Sequence, residues 1–228
     1  MAQNITDNEL FDQLRNKVLL KQLVYNNTYN TFRLLKSIIR ELTDKYQNEA
    51  DVVGQRITFE YRDKGEFQIE LKFGSDILIF LMHTNVFEFS RDHEVMKTGY
   101  IRENKERSYC GVIQIYNFLA DSFKYNREND LGYMIGRLFI NKDQHYFIEG
   151  KREIGYLYNN FEQAQITRES ATEIIRSAIL YTINFDLLVP PFDDVKIANV
   201  AMIQSAIESM KMTTGKRLGY KFQADLKE

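Results

Sequence analysis

Cysteine is nearly absent and tryptophan is absent from this sequence of 228 residues. Its single thiol, Cys110, has no partner within the chain, so a disulfide scaffold is excluded and a reducing cytoplasm is the predicted location. Proline is also scarce, and the two prolines lie together at Pro190 and Pro191. Because no Gly/Ser/Pro-rich linker divides the chain, we predict a single domain over residues 1–228.

Charge of one sign and long apolar runs are missing as well. The 30 Lys and Arg against 32 Asp and Glu leave a net charge of −2, whereas a general nucleic-acid binder carries an excess of basic residues. The longest apolar run extends only from Ile77 to Met82, and a membrane-spanning helix needs roughly 20 apolar residues. The first ten residues lack a signal-peptide pattern. The composition, 44% hydrophobic and 27% charged, is typical of a folded soluble protein.

A helical pattern without glycine or proline covers residues 6–48. Thr6 followed by Glu9 predicts a capping box at its start. Apolar or aromatic residues recur at every seventh position, although Lys21 and Thr28 interrupt the companion positions of the repeat. This interruption leaves open whether the segment is one helix or two. The seam either packs on the sheet of the same chain or forms a homodimer contact through Phe11, Val18, Tyr25, Phe32 and Ile39.

Residues 55–161 change to the two-residue repeat of β-strands. Phe59 and Tyr61 alternate with polar residues, and Asp63-Lys64-Gly65 predicts the turn of a first hairpin. A strand over 77–89 follows, then a charged excursion over 90–108 that we expect to lie in solvent. Further strands are predicted over 110–118, 131–140, 145–149 and 154–158.

Residues 167–213 return to a helical pattern. Ser170 with Glu173 indicates a capped first helix that ends before Pro190, and a second helix is predicted over 199–212. A short strand over 217–222 closes the chain. Strands gathered between helical ends predict the α+β class. The expected architecture is an antiparallel sheet of about five to seven strands, packed by a long N-terminal helical segment and two C-terminal helices.

One catalytic hypothesis rests on the first hairpin. Glu70-x-Lys72 on a strand, with Asp63 as an upstream acid, matches the acid plus Glu-x-Lys pattern of metal-dependent nucleases. Residues 70 and 72 must share one face of the sheet. Three Glu-x-Lys triplets occur in the chain, however, so an ordinary polar strand face is the competing interpretation.

A binding hypothesis rests on two Gly-Lys-Arg turns. The cations of these turns are Lys151, Arg152, Lys216 and Arg217, and Arg137 lies on a predicted strand. If the turns met in space near Arg137, these five residues could hold an anion or an acidic peptide. The competing interpretation is charged turns that face water.

The usual catalytic and cofactor motifs are missing from the sequence. There is no P-loop, dinucleotide fingerprint, nucleophile elbow or paired-histidine metal motif, and we predict no cofactor and no metal site. The sequence therefore favours a non-catalytic binding or protein-interaction module. Its predicted partners are a second copy, another protein or a small anion, and neither nucleic acid nor membrane. The alternative is a divalent-metal nuclease.

Overall fold

A computed structural model describes residues 6–53, 57–128, 130–150, 154, 160–185, 191–201 and 204. Its α-helices are α1 (Asp7–Val53), α2 (Gly99–Glu103), α3 (Ala120–Lys124), α4 (Arg168–Ile183) and α5 (Phe192–Val195). Its strands are β1 (Phe59–Asp63), β2 (Gln68–Phe73), β3 (Asp76–Met82), β4 (Phe87–Glu88), β5 (Tyr109–Leu119), β6 (Tyr133–Asn141) and β7 (Tyr146–Gly150). The predicted α+β class is confirmed.

Helix α1 is one uninterrupted helix of 47 residues, about 70 Å long at 1.5 Å per residue. The predicted capping box is present, since the Thr6 amide donates to Glu9 Oε2 at 2.9 Å and the Glu9 amide donates to Thr6 Oγ1 at 3.4 Å. The helix passes Lys21 and Thr28 without a break. Of the two alternatives that the sequence left open, the structure has one helix, and the predicted end at residue 48 falls one turn short.

The strands form one antiparallel sheet in the order β1-β2-β3-β5-β6-β7, with β4 paired to β5. The first hairpin is confirmed, with Arg62 opposite Glu70 and Asp63 opposite Ile69. Gly65 in the turn of this hairpin has φ +115°, a backbone conformation that residues with a side chain rarely adopt. Three of the adjacent pairs, β1-β2, β2-β3 and β6-β7, are hairpins with short turns, which is the topology expected of strands that follow each other closely in the chain.

The main core lies between one face of the sheet, here called the helix face, and the helices α1 and α4. Phe32, Leu35 and Ile39 of α1 are fully buried in it. Helix α4 adds Ile174 and Ile175, and the strands add their inward-facing residues Leu71, Phe80, Ile113 and Leu138. Full burial of such a side chain contributes about 1.5–3 kcal/mol, so this layer accounts for most of the apolar stabilisation.

Thr28, one of the two residues that interrupt the apolar seam, lies at a close approach of α1 to the sheet. Thr28 is fully buried and donates its hydroxyl to the Val24 carbonyl at 2.8 Å. A Cβ on Gly111 of β5 would lie 2.0 Å from Thr28 Oγ1, so only glycine fits there. Next to it, Asn27 Nδ2 donates to the carbonyls of Asn141 and Lys142 at 3.1 and 2.8 Å. The interruption therefore serves packing and hydrogen bonding and does not bend the helix.

The segment over 90–108 covers part of the second face of the sheet, contrary to the prediction that it lies in solvent. It contains α2 and two 3-10 helices, Glu94–Lys97 and Lys105–Ser108. Tyr100 and Ile101 are buried with Val112, Phe139 and Phe147 of the strands. The many charged residues of this segment predict exposure to solvent. Only the short apolar stretches between them face the sheet, so its burial was not predicted.

Two hydrogen bonds of the Tyr100 side chain hold the segment over 90–108 against the sheet. Its hydroxyl donates to Asp143 Oδ2 at 3.1 Å and accepts from Asn141 Nδ2 at 3.0 Å. Burial raises the pKa of Tyr100 to about 12, so the hydroxyl stays protonated at neutral pH. The pair connects α2 to the β6–β7 turn.

Some predicted boundaries are wrong. Strand β3 ends at Met82 rather than at residue 89, because His83 Nδ1 accepts from the Asn85 amide at 3.0 Å and the chain turns. Helix α4 is capped by Thr167 and not by Ser170, since the Ser170 amide donates to Thr167 Oγ1 at 3.2 Å. The elements predicted over 154–158, 199–212 and 217–222 lie wholly or mostly outside the described residues. In the part of the chain that the structure describes, no helix has the length and hydropathy of a membrane span.

The close approach at Gly111 predicts the outcome of a glycine substitution. Gly111→Ala should lower the free energy of unfolding by about 1–3 kcal/mol, because the new methyl group overlaps the Thr28 side chain. Gly99→Ala is the matched control, since nothing lies within 4 Å of a Cβ there. Urea denaturation measures both variants, and equal stability of the two would contradict this packing.

The seven-residue repeat contains one buried and one exposed phenylalanine that can be compared directly. Phe32→Ala should lower the free energy of unfolding by about 3–5 kcal/mol, because Phe32 is fully buried. Phe11→Ala should change it by less than about 0.5 kcal/mol, because Phe11 is 56% exposed. Thermal and urea unfolding of dilute protein test this difference, and similar losses in both variants would disagree with it.

Candidate functional site

The three residues of the nuclease hypothesis lie on opposite faces of the sheet. Asp63 pairs with Ile69 in the hairpin register and lies on the helix face, where it contacts Lys36 of α1. Glu70 and Lys72 lie on the second face, because side chains alternate along a strand. The structure therefore does not bring the upstream acid to the Glu-x-Lys pair.

Asp63 instead closes the β1–β2 turn and connects it to α1. Its carboxylate accepts from Lys36 Nζ at 2.9 Å, from the Gly65 amide at 3.0 Å and from the Tyr61 hydroxyl at 3.1 Å. Lys36 Nζ also donates to the Gly65 carbonyl at 2.6 Å. The hydrogen bond from Lys36 is the largest contribution that holds the pKa of Asp63 below its ordinary value. All of these bonds are structural.

Glu70 is also satisfied within the protein. It is 5% exposed, and Lys64 Nζ lies 3.5 Å from one carboxylate oxygen. Gln68 Nε2 donates to the other oxygen at 3.4 Å. Among the described residues, no three His, Cys, Asp or Glu side chains lie close enough together to hold a metal ion. The arrangement at Glu70 is an ion pair on the polar part of a strand face.

The histidines and the cysteine have structural surroundings. His93 Nε2 bonds to Glu149 at 2.9 Å, and His145 stacks on Tyr100 with 5.1 Å between ring centroids. Cys110 is fully buried on β5, and burial raises the pKa of its thiol. A nucleophilic cysteine must be a thiolate and must be accessible to substrate. The thiol of Cys110 meets neither condition.

Of the predicted anion-binding residues, the structure describes one. Arg137 of β6 pairs with Glu149, which lies opposite it on β7 and also binds His93. The other four residues, Lys151, Arg152, Lys216 and Arg217, lie outside the described residues. Whether the two Gly-Lys-Arg turns meet therefore stays a prediction, and the described member is already neutralised by a carboxylate.

Glu149 also lines a cavity of about 790 Å³ on the second face of the sheet. Its other described walls combine the rings of Phe147 and Phe161 with the carboxylates of Asp92, Glu94 and Glu162. Carboxylates repel anions, so this cavity is unsuited to the predicted anionic ligand.

The first turns of α1 form an arm that projects from the body of the protein. We define the arm as residues 7–19, all of which are exposed, and the first buried residue after it is Leu20. Four apolar side chains that are about half exposed follow one side of the arm, and we call them the arm stripe: Leu10, Phe11, Leu14 and Val18. Their spacing of one, three and four residues places them on one helix face. An exposed apolar surface of this kind makes the arm a candidate interaction site.

A groove of about 590 Å³ lies at the base of the arm. One wall is α1, with Val18, Lys21, Gln22 and Tyr25, and the other wall is the loop from Thr84 to Phe87. Phe87 is 42% exposed at the groove. The arm stripe therefore continues into a concave surface through Val18.

Lys17 anchors the arm to the sheet. Its ammonium donates to the Tyr109 hydroxyl and lies 3.7 Å from the centre of the Tyr109 ring. Tyr109 in turn donates to Glu88 Oε2 at 2.7 Å. The contact holds the direction in which the arm leaves the body and leaves the arm stripe uncovered.

The predicted homodimer seam is divided between two environments. Phe32 and Ile39 are fully buried against the chain's own sheet, so a subunit contact through them is wrong. Tyr25 is half-buried at the groove, and only Phe11 and Val18 remain exposed. The repeat missed Leu10 and the groove wall from Thr84 to Phe87. Leu10 could have been found from its four-residue spacing to Leu14, whereas the loop gives no helical signal.

Comparison with protein-family models, with curated proteins and with solved structures finds no match to this chain. The functional argument therefore rests on the geometry above.

The hydrogen bond between Lys36 and Asp63 predicts how the pKa of Asp63 responds to a substitution of Lys36. Lys36→Met should raise the pKa of Asp63 toward its ordinary value, because the charged donor is removed. Lys45→Met is the control, since Lys45 pairs with Glu49 instead. Carboxyl NMR titration measures the shift, and an unchanged pKa in Lys36→Met would contradict the assignment.

The same substitution predicts a change in acid stability. A carboxyl with a lowered pKa stabilises the fold above its unfolded-state pKa, and this contribution is lost as pH falls through the folded-state pKa. The free energy of unfolding should therefore depend less on pH in Lys36→Met than in the wild type through the acid range. Urea denaturation at a series of pH values checks this.

Proposed function

We propose that the chain is a non-catalytic protein-interaction module that contacts its partner through the arm. The observation that carries the proposal is the arm stripe, which is exposed along residues 10–18, whereas α1 has buried residues from Leu20 to Thr43. Apolar residues scattered singly on a surface need no explanation, but four on one face of a projecting helix form a continuous patch.

The lack of packing along the arm stripe supports this proposal. In proteins, most of the stability of a helix comes from the tertiary packing of its apolar face. The arm has 13 residues, and its described tertiary contact is the one from Lys17 to Tyr109. A partner that covered the arm stripe would bury four apolar side chains and supply the missing packing. The arm is thus the part of the fold that gains most from a partner.

The groove supports the same conclusion. It continues the arm stripe at Val18 and offers Tyr25 and Phe87 as aromatic walls. Aromatic side chains with a polar or exposed edge are enriched in protein interfaces. The arm and the groove together form a surface in which a projecting helix adjoins a concave site.

We further propose that the module is soluble and cytoplasmic and that it forms a homodimer. The single cysteine, which is fully buried, is compatible with a reducing compartment. The homodimer retains Phe11 and Val18 of the predicted seam and replaces its buried members by Leu10 and Leu14. A small anion as partner has less support, because Arg137 is paired with Glu149.

Two substitutions with equal exposure test the role of the arm. Leu14 on the arm is 58% exposed, and Leu180 on α4 is 59% exposed. Leu14→Glu should release the chain from larger species to its own mass of 27.0 kDa, whereas Leu180→Glu should behave as the wild type. The measurement is native mass in extracts of cells that express each variant, with circular dichroism as the check on folding.

The proposal fails if Leu14→Glu keeps the larger species. It also fails if the wild type has a mass of 27.0 kDa both in the extract and after purification.

A further inference from the structure

We infer that the partner of the arm is the arm of a second copy of this chain, and that the two arms pair antiparallel about Leu14. This inference rests on the proposed function and specifies its partner and its geometry. Three features of the described residues support it: the symmetry of the arm sequence, the division of its charge and the position of the groove.

The sequence from Asp7 to Lys21, which is the arm and the two residues after it, has a chemical symmetry about Leu14. Leu10 and Val18 each lie four residues from it, and Asp7 and Lys21 each lie seven residues from it. Four and seven residues are close to one and two helical turns, so all five residues share one side of the helix. An antiparallel pair centred on Leu14 therefore places Leu10 opposite Val18 and Asp7 opposite Lys21. A parallel pair would place Asp7 beside Asp7 and Lys21 beside Lys21.

The charge of the arm is divided at the same residue. Positions 7–13 carry three acidic and no basic residues, and positions 15–21 carry three basic and no acidic residues. Acidic residues near a helix N-terminus are favourable within a single helix. Lys17 contacts Tyr109 and Arg15 pairs with Asp12, whereas Lys21 has no such explanation, because α1 continues to Val53 and its C-terminus is far away. Antiparallel pairing places Asp7, the acidic residue on the side of the arm stripe, opposite the basic Lys21.

Asp7 and Lys21 remain available for a partner, whereas Glu9 caps the helix with Thr6 and Lys17 contacts Tyr109. The described ion pair within the arm, Arg15 with Asp12, has a distance of 3.6 Å, and both side chains are 69% exposed. An ion pair in such an exposed position contributes little. Lys21 lies in the groove lining, where the first turn of an antiparallel partner arm would end.

The groove receives the end of the partner arm. With Asp7 of one copy opposite Lys21 of the other, the first turn of each arm enters the groove between Val18, Tyr25 and Phe87 of its partner. Each copy then supplies one arm end and one groove. This is the requirement for a closed two-fold interface, in which the same surface is used twice. The groove also extends the contact beyond two paired helices of about 21 Å each.

Self-association of the purified chain is the first test. Sedimentation equilibrium should show a reversible dimer for the wild type and for Leu180→Glu. Leu14→Glu should weaken dimerisation by at least about 100-fold, because two leucines meet at the centre of the interface and both are replaced. Phe11→Glu serves as a second arm variant, and circular dichroism confirms that each variant is folded.

Crosslinking tests the orientation. Cys110 is fully buried, so an introduced cysteine is the thiol that a reagent reaches. Asn8 and Gln22 are fourteen residues apart and lie on the same side of α1. Antiparallel pairing brings Asn8→Cys of one copy near Gln22→Cys of the other, but separates two Asn8→Cys residues by about 18 Å along the axis. A short thiol crosslinker should therefore join the mixed variants and should fail with either variant alone.

The outcomes separate this inference from the proposed function. Crosslinking of each single variant to itself, without a preference for the mixture, would show parallel arms and overturn the inference. A purified chain that stays monomeric at high concentration would also overturn it. If that monomer still enters larger species in extracts through Leu14, the partner is a different protein. The proposed interaction through the arm then stands, and the proposed homodimer is wrong.

Discussion

The structure depends on the packing of one helix against one face of an antiparallel sheet. Buried residues of α1 extend from Leu20 to Thr43, and those at its centre, Phe32, Leu35 and Ile39, make the main core with the strands. The helix can come this close because Gly111 leaves room for Thr28 and because Asn27 satisfies carbonyls of the β6–β7 turn. Without this contact the sheet would expose its most apolar face.

The length of α1 then has a functional consequence. The sheet offers packing to the middle of a helix of 47 residues, and the helix is longer than the surface that it covers. Its N-terminal turns therefore leave the body with Leu10, Phe11, Leu14 and Val18 uncovered. The same seven-residue repeat is thus a core seam in one half and an exposed stripe in the other. This division connects the fold to the proposed interaction, because the exposed half is a continuation of the element that organises the core.

Several features of the fold and the site could be predicted from particular residues. Alternation at Phe59 and Tyr61 with the turn at Gly65 predicts the first hairpin, and Thr6 with Glu9 predicts the start of α1. Alternation also places Asp63 and Glu70 on opposite faces once their register is known, which argues against a shared metal site. The burial of Tyr100 and the contact of Lys17 with Tyr109 could not be predicted, because they join residues that are distant in sequence.

The sequence by itself determined the class of the fold, since the change from helical to two-residue periodicity and back depends on local side-chain spacing. It also determined the division of charge along the arm about Leu14. Only the tertiary structure decided which part of the apolar repeat is buried. Periodicity specifies that a helix has an apolar face, whereas burial depends on where the sheet ends beneath that face.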